Sequence, residues 1–425
     1  MIKEETMDLD YFVLNVKPVR RADPFRGGTY RGGVVMGGTL GMPVDIPQAG
    51  HSAITVETTK LSETQAREAK RDPSNTVAPV MPVALIKPAE PADYAMASLV
   101  DAVAVAQAAK GSWGIGATGA DTSDLTGEGV VVAILDTGID REHTAFAGVD
   151  LETRKNFSGG DSADVDDRHG HGTHCAGTAF GRDVNGTRIG VARGVQKAII
   201  GKVLDDQGRG STAAVLKALH WAAGEGANVV SLSLGFDFPG MAEQLRQADR
   251  PEKLAVSMAL KAYRDNLRMF DALLTFLMLE NPASPGLVVV AASGNESMRN
   301  LDPNFVIDTS LPAAASANIL SVGAIQRNGD LFGIAPFSNV NPVLSAPGVD
   351  IVSAKSGGGL VALSGTSMAC PHVAGLAALY WQQAARAGVA TGNVVRGRLI
   401  AGAQAVGFPE TVGPVDRGVG MARVP

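Results

Sequence analysis

The chain has 425 residues, of which 45% are apolar and 19% charged, with a formal net charge of −6. These values fit a globular protein of two or three domains and exclude a disordered or fibrous chain. No apolar run approaches the ~18 residues that a membrane span needs, and the 37 basic residues, set against 43 acidic ones, form no dense patch for nucleic acid. Two cysteines cannot staple a chain of this length, so the fold must rest on its core. The opening Met1-Ile2-Lys3-Glu4-Glu5 lacks the apolar centre of a signal peptide, so the expected location is the cytoplasm, with secretion by another route left open.

In chain order, residues 11–16 read as a strand and 27–41, with seven glycines in fifteen positions, as a loop. A strand over 53–57 follows, then a helix from Ser62 to Lys70 stopped by Pro73. Residues 76–85 read as one strand that Pro79 and Pro82 confine to a sheet edge. These pieces make a small βαβ-like unit. Residues 88–91 read as a linker and 95–109 as an alanine-rich helix. From about Trp113 the texture changes. Continuous apolar strands at 130–135, 198–204, 228–234 and 287–292 alternate with helical segments, the pattern of a parallel sheet covered on both faces. Reactive groups in such sheets sit beyond the carboxyl ends of the strands. The longest helical pattern covers 253–281, where Leu260, Tyr263, Leu267, Phe270, Leu274 and Leu277 recur as one core-facing stripe.

Three clusters carry chemistry. The strand 130–135 runs into Asp136-Thr137-Gly138, and a carboxylate at that place needs a partner. The second cluster is His169-Gly170-His171-Gly172-Thr173-His174-Cys175, whose spacing matches no structural zinc site. The third is Gly365-Thr366-Ser367-Met368-Ala369, with Cys370 and Pro371 following, where a serine sits between a turn and a helix. Taken singly, the aspartate is a turn former and the serine an N-cap.

The three together, in the order Asp, His, Ser, resemble the signature blocks of the subtilisin-like serine proteases, over about 113–422. The Cys175 after the histidine block is similar to the proteinase K branch. The resemblance implies a three-layer α/β fold, with a mostly parallel central sheet and helices on both faces. It implies Ser367 as nucleophile, His171 as general base and Asp136 as its orienting acid. It further implies Asn295, in Ala292-Ser293-Gly294-Asn295, as oxyanion donor. Substrate-binding backbone is expected at Ser233, Leu234 and Gly235 and at Gly208, Arg209 and Gly210, pairing with an extended peptide. Arg209 is either a reader of acidic side chains or simply solvated. Cys175 and Cys370 read as buried free thiols, with a disulfide between them left open.

Two departures from the family stand out. Its strong calcium site places a carboxylate where this chain has Ala145 (in His143-Thr144-Ala145-Phe146), and the loop 181–186 alone offers too few oxygens. No cofactor is expected, and no calcium there. The connection between Gly235 and Leu287 is also longer than usual. The extra residues 236–260 either rim the cleft and narrow substrate choice or pack away from it.

The segment 11–85 resembles the family's propeptide, which implies a small α+β prodomain over 1–88 acting as folding template and inhibitor. Its C-terminal tail would lie in the cleft, ahead of a linker at 89–112 holding the processing site and a protease domain at 113–425. Protein or peptide substrates and the chain's own prodomain are then the expected partners. The implied function is a serine endopeptidase made as an autoprocessed zymogen. The alternatives are a maturation protease dedicated to one protein, or a non-catalytic peptide binder on the same fold.

Overall fold

The computed structural model describes residues 9–17, 53–89, 101–278, 285–310, 312–314 and 318–425. The glycine-rich stretch 27–41 lies outside them, as do residues 95–100 of the expected alanine-rich helix and residues 90–100 of the expected processing region. The described chain forms two compact units that divide after Pro79.

The first unit holds β1 (Leu9–Lys17), β2 (Ala53–Leu61), α1 (Glu63–Ala69) and β3 (Asn75–Pro79). β1 lies between β2 and β3 and is antiparallel to both, so β2–α1–β3 is a split β-α-β. Ser62 starts the helix as a capping box with Gln65. Ala66 packs with Tyr11 and Val77 to form the small core.

The second unit begins with β4 (Pro82–Leu85), α2 (Ala102–Ala108), α3 (Trp113–Thr118), β5 (Val131–Asp136) and β6 (Arg154–Asn156). There follow α4 (His171–Phe180), β7 (Lys197–Lys202), β8 (Arg209–Ser211), α5 (Thr212–Gly224), β9 (Val229–Leu232) and β10 (Leu234–Phe236). The long connection forms α6 (Phe238–Gln247) and α7 (Glu252–Leu277), and then come β11 (Val288–Ala292), β12 (Ile319–Asn328), β13 (Leu331–Ile334) and β14 (Leu344–Pro347). β15 (Ile351–Ala354), β16 (Leu360–Leu363), α8 (Thr366–Arg386) and α9 (Gly392–Ala401) lead towards the C-terminus.

Eight strands make the central sheet in the order β13-β12-β11-β9-β5-β7-β6, with β14 beside β12. Only β13 runs antiparallel. The inner strands β5, β9 and β11 are largely apolar because both faces are covered. Val132 and Ile134 of β5 enter the large core with Ala176 of α4 and Val373 and Ala377 of α8. α5 packs on β5 and β7 and against α7.

Three expectations change here. The single strand over 76–85 is two strands in different sheets: β3 ends at Pro79, and β4 joins β8 and β10. The strand over 228–234 breaks at Ser233, where the chain leaves the main sheet for this smaller one. The helix 253–281 is α7 (Glu252–Leu277), and Phe270, Leu274 and Leu277 are buried as expected, but Leu260 is exposed and in the first half of the helix the buried line runs one position earlier, through Ala255, Ala259, Ala262 and Asn266. Alanines let the neighbouring helix approach closely, so the burying face is less apolar by composition than its neighbour.

Candidate active site

The last residue of β5 and the first of α4 meet. Asp136 Oδ1 and His171 Nδ1 lie 2.8 Å apart, and both side chains are about 1% exposed. Glycine makes the meeting possible: Gly138 has φ +114°, and a Cβ on Gly172 would come within 2.2 Å of the Gly138 carbonyl oxygen. Neither Asp136 Oδ2 nor His171 Nε2 has a hydrogen-bond partner among the described residues. The outer imidazole nitrogen is thus buried and left available.

Two charged side chains hold this corner, and neither stood out in the sequence. Asp167 accepts from the Thr137 hydroxyl (2.8 Å), the Gly170 N–H (2.8 Å), the Thr173 N–H (2.8 Å) and the Thr173 hydroxyl (2.6 Å). Burial alone would raise its pKa, but these bonds outweigh it and hold the carboxyl below its ordinary value. Lys202, at the end of β7, is buried and donates to the Thr137 carbonyl (2.6 Å), the Asp166 carbonyl (3.1 Å) and the Asp206 carboxylate (2.7 Å). A signal existed for both: each is a charge adjoining an apolar strand or a histidine motif.

Ser367 is the second residue of α8 and is fully buried. Its hydroxyl donates to the Ile86 carbonyl at 3.1 Å. Its own carbonyl has an unusual setting. Pro371 lies inside α8, four residues on, and has no N–H to donate back to it. Two side chains do so instead: the Cys175 thiol at 3.4 Å and the Ser233 hydroxyl at 3.2 Å. Cys175 Sγ is also 3.7 Å from His171 Nδ1, so this thiol touches both the histidine and the serine segments.

Asn295 follows β11. Its Oδ1 accepts from the Thr366 N–H (2.9 Å) and hydroxyl (2.8 Å), which turns Nδ2 outward, where it donates to the Lys87 carbonyl at 2.8 Å. The segment 86–87 therefore presents consecutive carbonyls to Ser367 and Asn295.

That segment arrives through a three-stranded antiparallel sheet in the order β10-β4-β8. Ala84 pairs with both Gly235 and Arg209, Val83 pairs with Phe236 and Gly210, and Leu85 pairs with Leu234 and donates its N–H to the Gly208 carbonyl at 2.8 Å. Five of the six expected substrate-binding residues thus meet β4 through their backbone. The sixth, Ser233, precedes β10 and meets Ser367 instead. The Arg209 side chain is exposed and turns back to Asp205 (3.4 Å) and Gln207 (3.1 Å).

Two further histidines and both cysteines are buried near this corner. His174 Nε2 bonds the Ile351 carbonyl (2.9 Å), and burial pulls its pKa down to about 3. His372 Nδ1 bonds the Met368 carbonyl (2.8 Å), and burial takes it to about 4. Cys175 and Cys370 are buried and unpaired. Burial holds the Cys175 thiol well above its ordinary value and raises that of Cys370 to about 11. At the loop 181–186 the Arg182 guanidinium donates to the Arg193 and Val195 carbonyls, the Asp183 carboxylate lies 3.6 Å from the Arg193 guanidinium, and Ala145 is fully buried.

The sequence profile of the subtilase family matches residues 127–421. The chain belongs to the subtilase family. Among the relatives of this subtilase, "Subtilisin-like protease 6" of Trichophyton verrucosum is 37% identical over 257 residues, which is 59% of this chain and 52% of that protein. The same-named protein of Trichophyton rubrum is 35% identical over the same shares. Subtilisin BL of Lederbergia lenta is 34% identical over 269 residues, 63% of this chain and 81% of its own. The subtilase thus spans about half the length of the fungal relatives it matches. Among its described residues no helix is long and apolar enough to cross a membrane.

Proposed function

We propose that this subtilase is a serine endopeptidase made in a latent form, with Ser367, His171, Asp136 and Asn295 as its catalytic residues. In the proposed reaction the Ser367 hydroxyl passes its proton to His171 Nε2 as its oxygen bonds the substrate carbonyl carbon. Asp136 orients the imidazole and stabilises its charge. The carbonyl oxygen becomes anionic, and Asn295 Nδ2 donates to it. The carbon–nitrogen bond breaks and the leaving amine takes the proton from His171. Water then enters by the reverse sequence and releases the acid. The observation that carries the reading is the segment 82–87, which lies as a strand between β8 and β10 and ends with its carbonyls on Ser367 and Asn295.

The same observation supports latency. The Ser367 hydroxyl is engaged by the chain's own carbonyl, and substrate backbone would need the edges that β4 fills. The segment is continuous with the 9–79 unit, which supports a prodomain role for that unit. Protein or peptide substrates follow from backbone pairing, and no calcium is proposed at the 181–186 loop. A serine-directed fluorophosphonate tests the reading: self-processed protein should label at Ser367 and Ser367→Ala should not. Absence of labelling in processed wild-type protein would favour the non-catalytic peptide binder.

A further inference from the structure

The long connection between β10 and β11 does something particular to Met81, the residue just before β4. Met81 is completely buried. It packs with Met241 and Leu245 of α6 and with Ala255, Ala259 and Ala262 of α7. The backbone there is held on both sides: the Met81 N–H donates to the Thr212 hydroxyl at 3.0 Å, and the Thr212 N–H donates to the Met81 carbonyl at 2.9 Å. The next residue is also tied to the insertion, because the Asp237 N–H donates to the Pro82 carbonyl at 3.1 Å while the Asp237 carboxylate caps α6. Met81, Val83 and Leu85 alternate along the strand and are all buried, whereas Pro82 and Ala84 are half-buried.

We infer that α6 and α7 form a substrate subsite for a large, flexible apolar side chain, five residues before the one whose carbonyl faces Ser367. The inference rests on the peptidase reading and deepens it. A substrate strand in the place of β4 carries its sixth residue from the scissile bond to the Thr212 clamp, and hence over this pocket. Three alanines spaced along α7 leave room that a methionine fills, and an unbranched thioether adapts to an irregular wall. The walls are apolar, so a carboxylate there would be buried without a partner. The insertion thereby narrows substrate choice at a distance from the scissile bond.

Full-chain protein that has processed itself is assayed with internally quenched peptides of the 80–89 sequence, bearing Met, Ala or Asp at the position of Met81. A shorter peptide starting at the position of Val83 serves as internal reference. The expected result is a kcat/KM about tenfold lower for Ala than for Met and lower still for Asp, as loss of one buried apolar side chain implies. Ala259→Phe, which fills the pocket, should bring the long-to-short ratio towards one. Equal rates for the three long peptides overturn the subsite and leave the peptidase reading standing. Should neither length be cut, the same peptides titrated into the Ser367→Ala protein still decide. Equal affinities overturn the subsite, tighter binding of the Met peptide upholds it, and the absent hydrolysis counts against the peptidase reading alone.

Discussion

The Ser367 hydroxyl donates to the Ile86 carbonyl at 3.1 Å, and the chain continues unbroken past it through Lys87 and Pro88 to Ala89, whose N–H donates to the Ser364 carbonyl at 2.7 Å. The Ser367 hydroxyl thus faces the carbonyl of the Ile86–Lys87 bond, while Asn295 holds the next carbonyl, that of the Lys87–Pro88 bond, at 2.8 Å. The next bond, Lys87–Pro88, has a proline on its leaving side. Processing is therefore expected between Ile86 and Lys87, ahead of the region beyond Pro88 in which the sequence placed it. N-terminal sequencing of the matured protein should begin at Lys87, and Ser367→Ala protein should stay full length. A mature terminus within 89–112 would refute the assignment.

Asp136→Asn should keep the fold and lower kcat by about 10⁴-fold, the magnitude measured when the equivalent carboxylate of subtilisin itself is removed. Steady-state kinetics of the variant on a long peptide would check this. A loss below tenfold would mean that the 2.8 Å contact with His171 does not serve catalysis.

Asn295→Ala should lower kcat by 10²- to 10³-fold with little change in KM, again the size known for subtilisin's own oxyanion asparagine. The Thr366 contacts fix which end of the amide faces the cleft. Asn295→Asp should therefore fare no better, since it presents an acceptor where a donor is needed. A rise in KM at constant kcat would instead assign Asn295 to ground-state binding.

Ser367's carbonyl depends on two side chains because Pro371 cannot serve it. Cys175→Ser keeps a donor and should be nearly silent. Cys175→Val removes it, and combined with Ser233→Ala should cost about 1–3 kcal/mol for the unsatisfied carbonyl. Thermal or urea unfolding of the two variants would measure the difference. Equal stability of Cys175→Ser and the double variant would show that the carbonyl finds another donor.

Acid should destabilise the protein through its buried histidines. His174 and His372 have folded pKa values of about 3 and about 4, below the ordinary 6.5. The unfolded chain therefore binds protons that the folded chain does not. Their contribution is complete above pH 6.5 and is lost progressively as the pH drops towards 4 and 3. Asp167, with a lowered pKa, adds to the loss further into acid, below the ordinary carboxylate value. In the Ser367→Ala protein, which cannot digest itself, the melting temperature should fall steadily from pH 6.5 to 4, and His372→Gln should flatten the slope. A flat profile in the parent would contradict the two histidine values.

The central strands were legible because burial on both faces writes a continuous apolar run, as in Val131–Asp136. The histidine and serine motifs were legible because close backbone approach demands glycine at fixed steps. What escaped was whatever depends on a distant partner. Nothing local to 76–85 shows that Pro82–Leu85 will pair with strands more than a hundred residues later. Asp167 and Lys202 look like surface charges until the fold closes over them. The buried side of α7 was misread by one position in its upper half, because alanine and asparagine fill the places where a larger residue would have marked the face.

The strand Pro82–Leu85 pairs on both sides at once, so its departure leaves two facing edges, each with unpaired amides and carbonyls. Little in this recognition depends on the strand being covalently attached. On the proposed latent form, a released N-terminal fragment of one molecule would therefore be able to re-enter the cleft of another, and inhibition would be a bimolecular equilibrium as well as an internal one. Matured protein should then lose activity as it is concentrated with its own released fragment and regain it on dilution or when the fragment is digested.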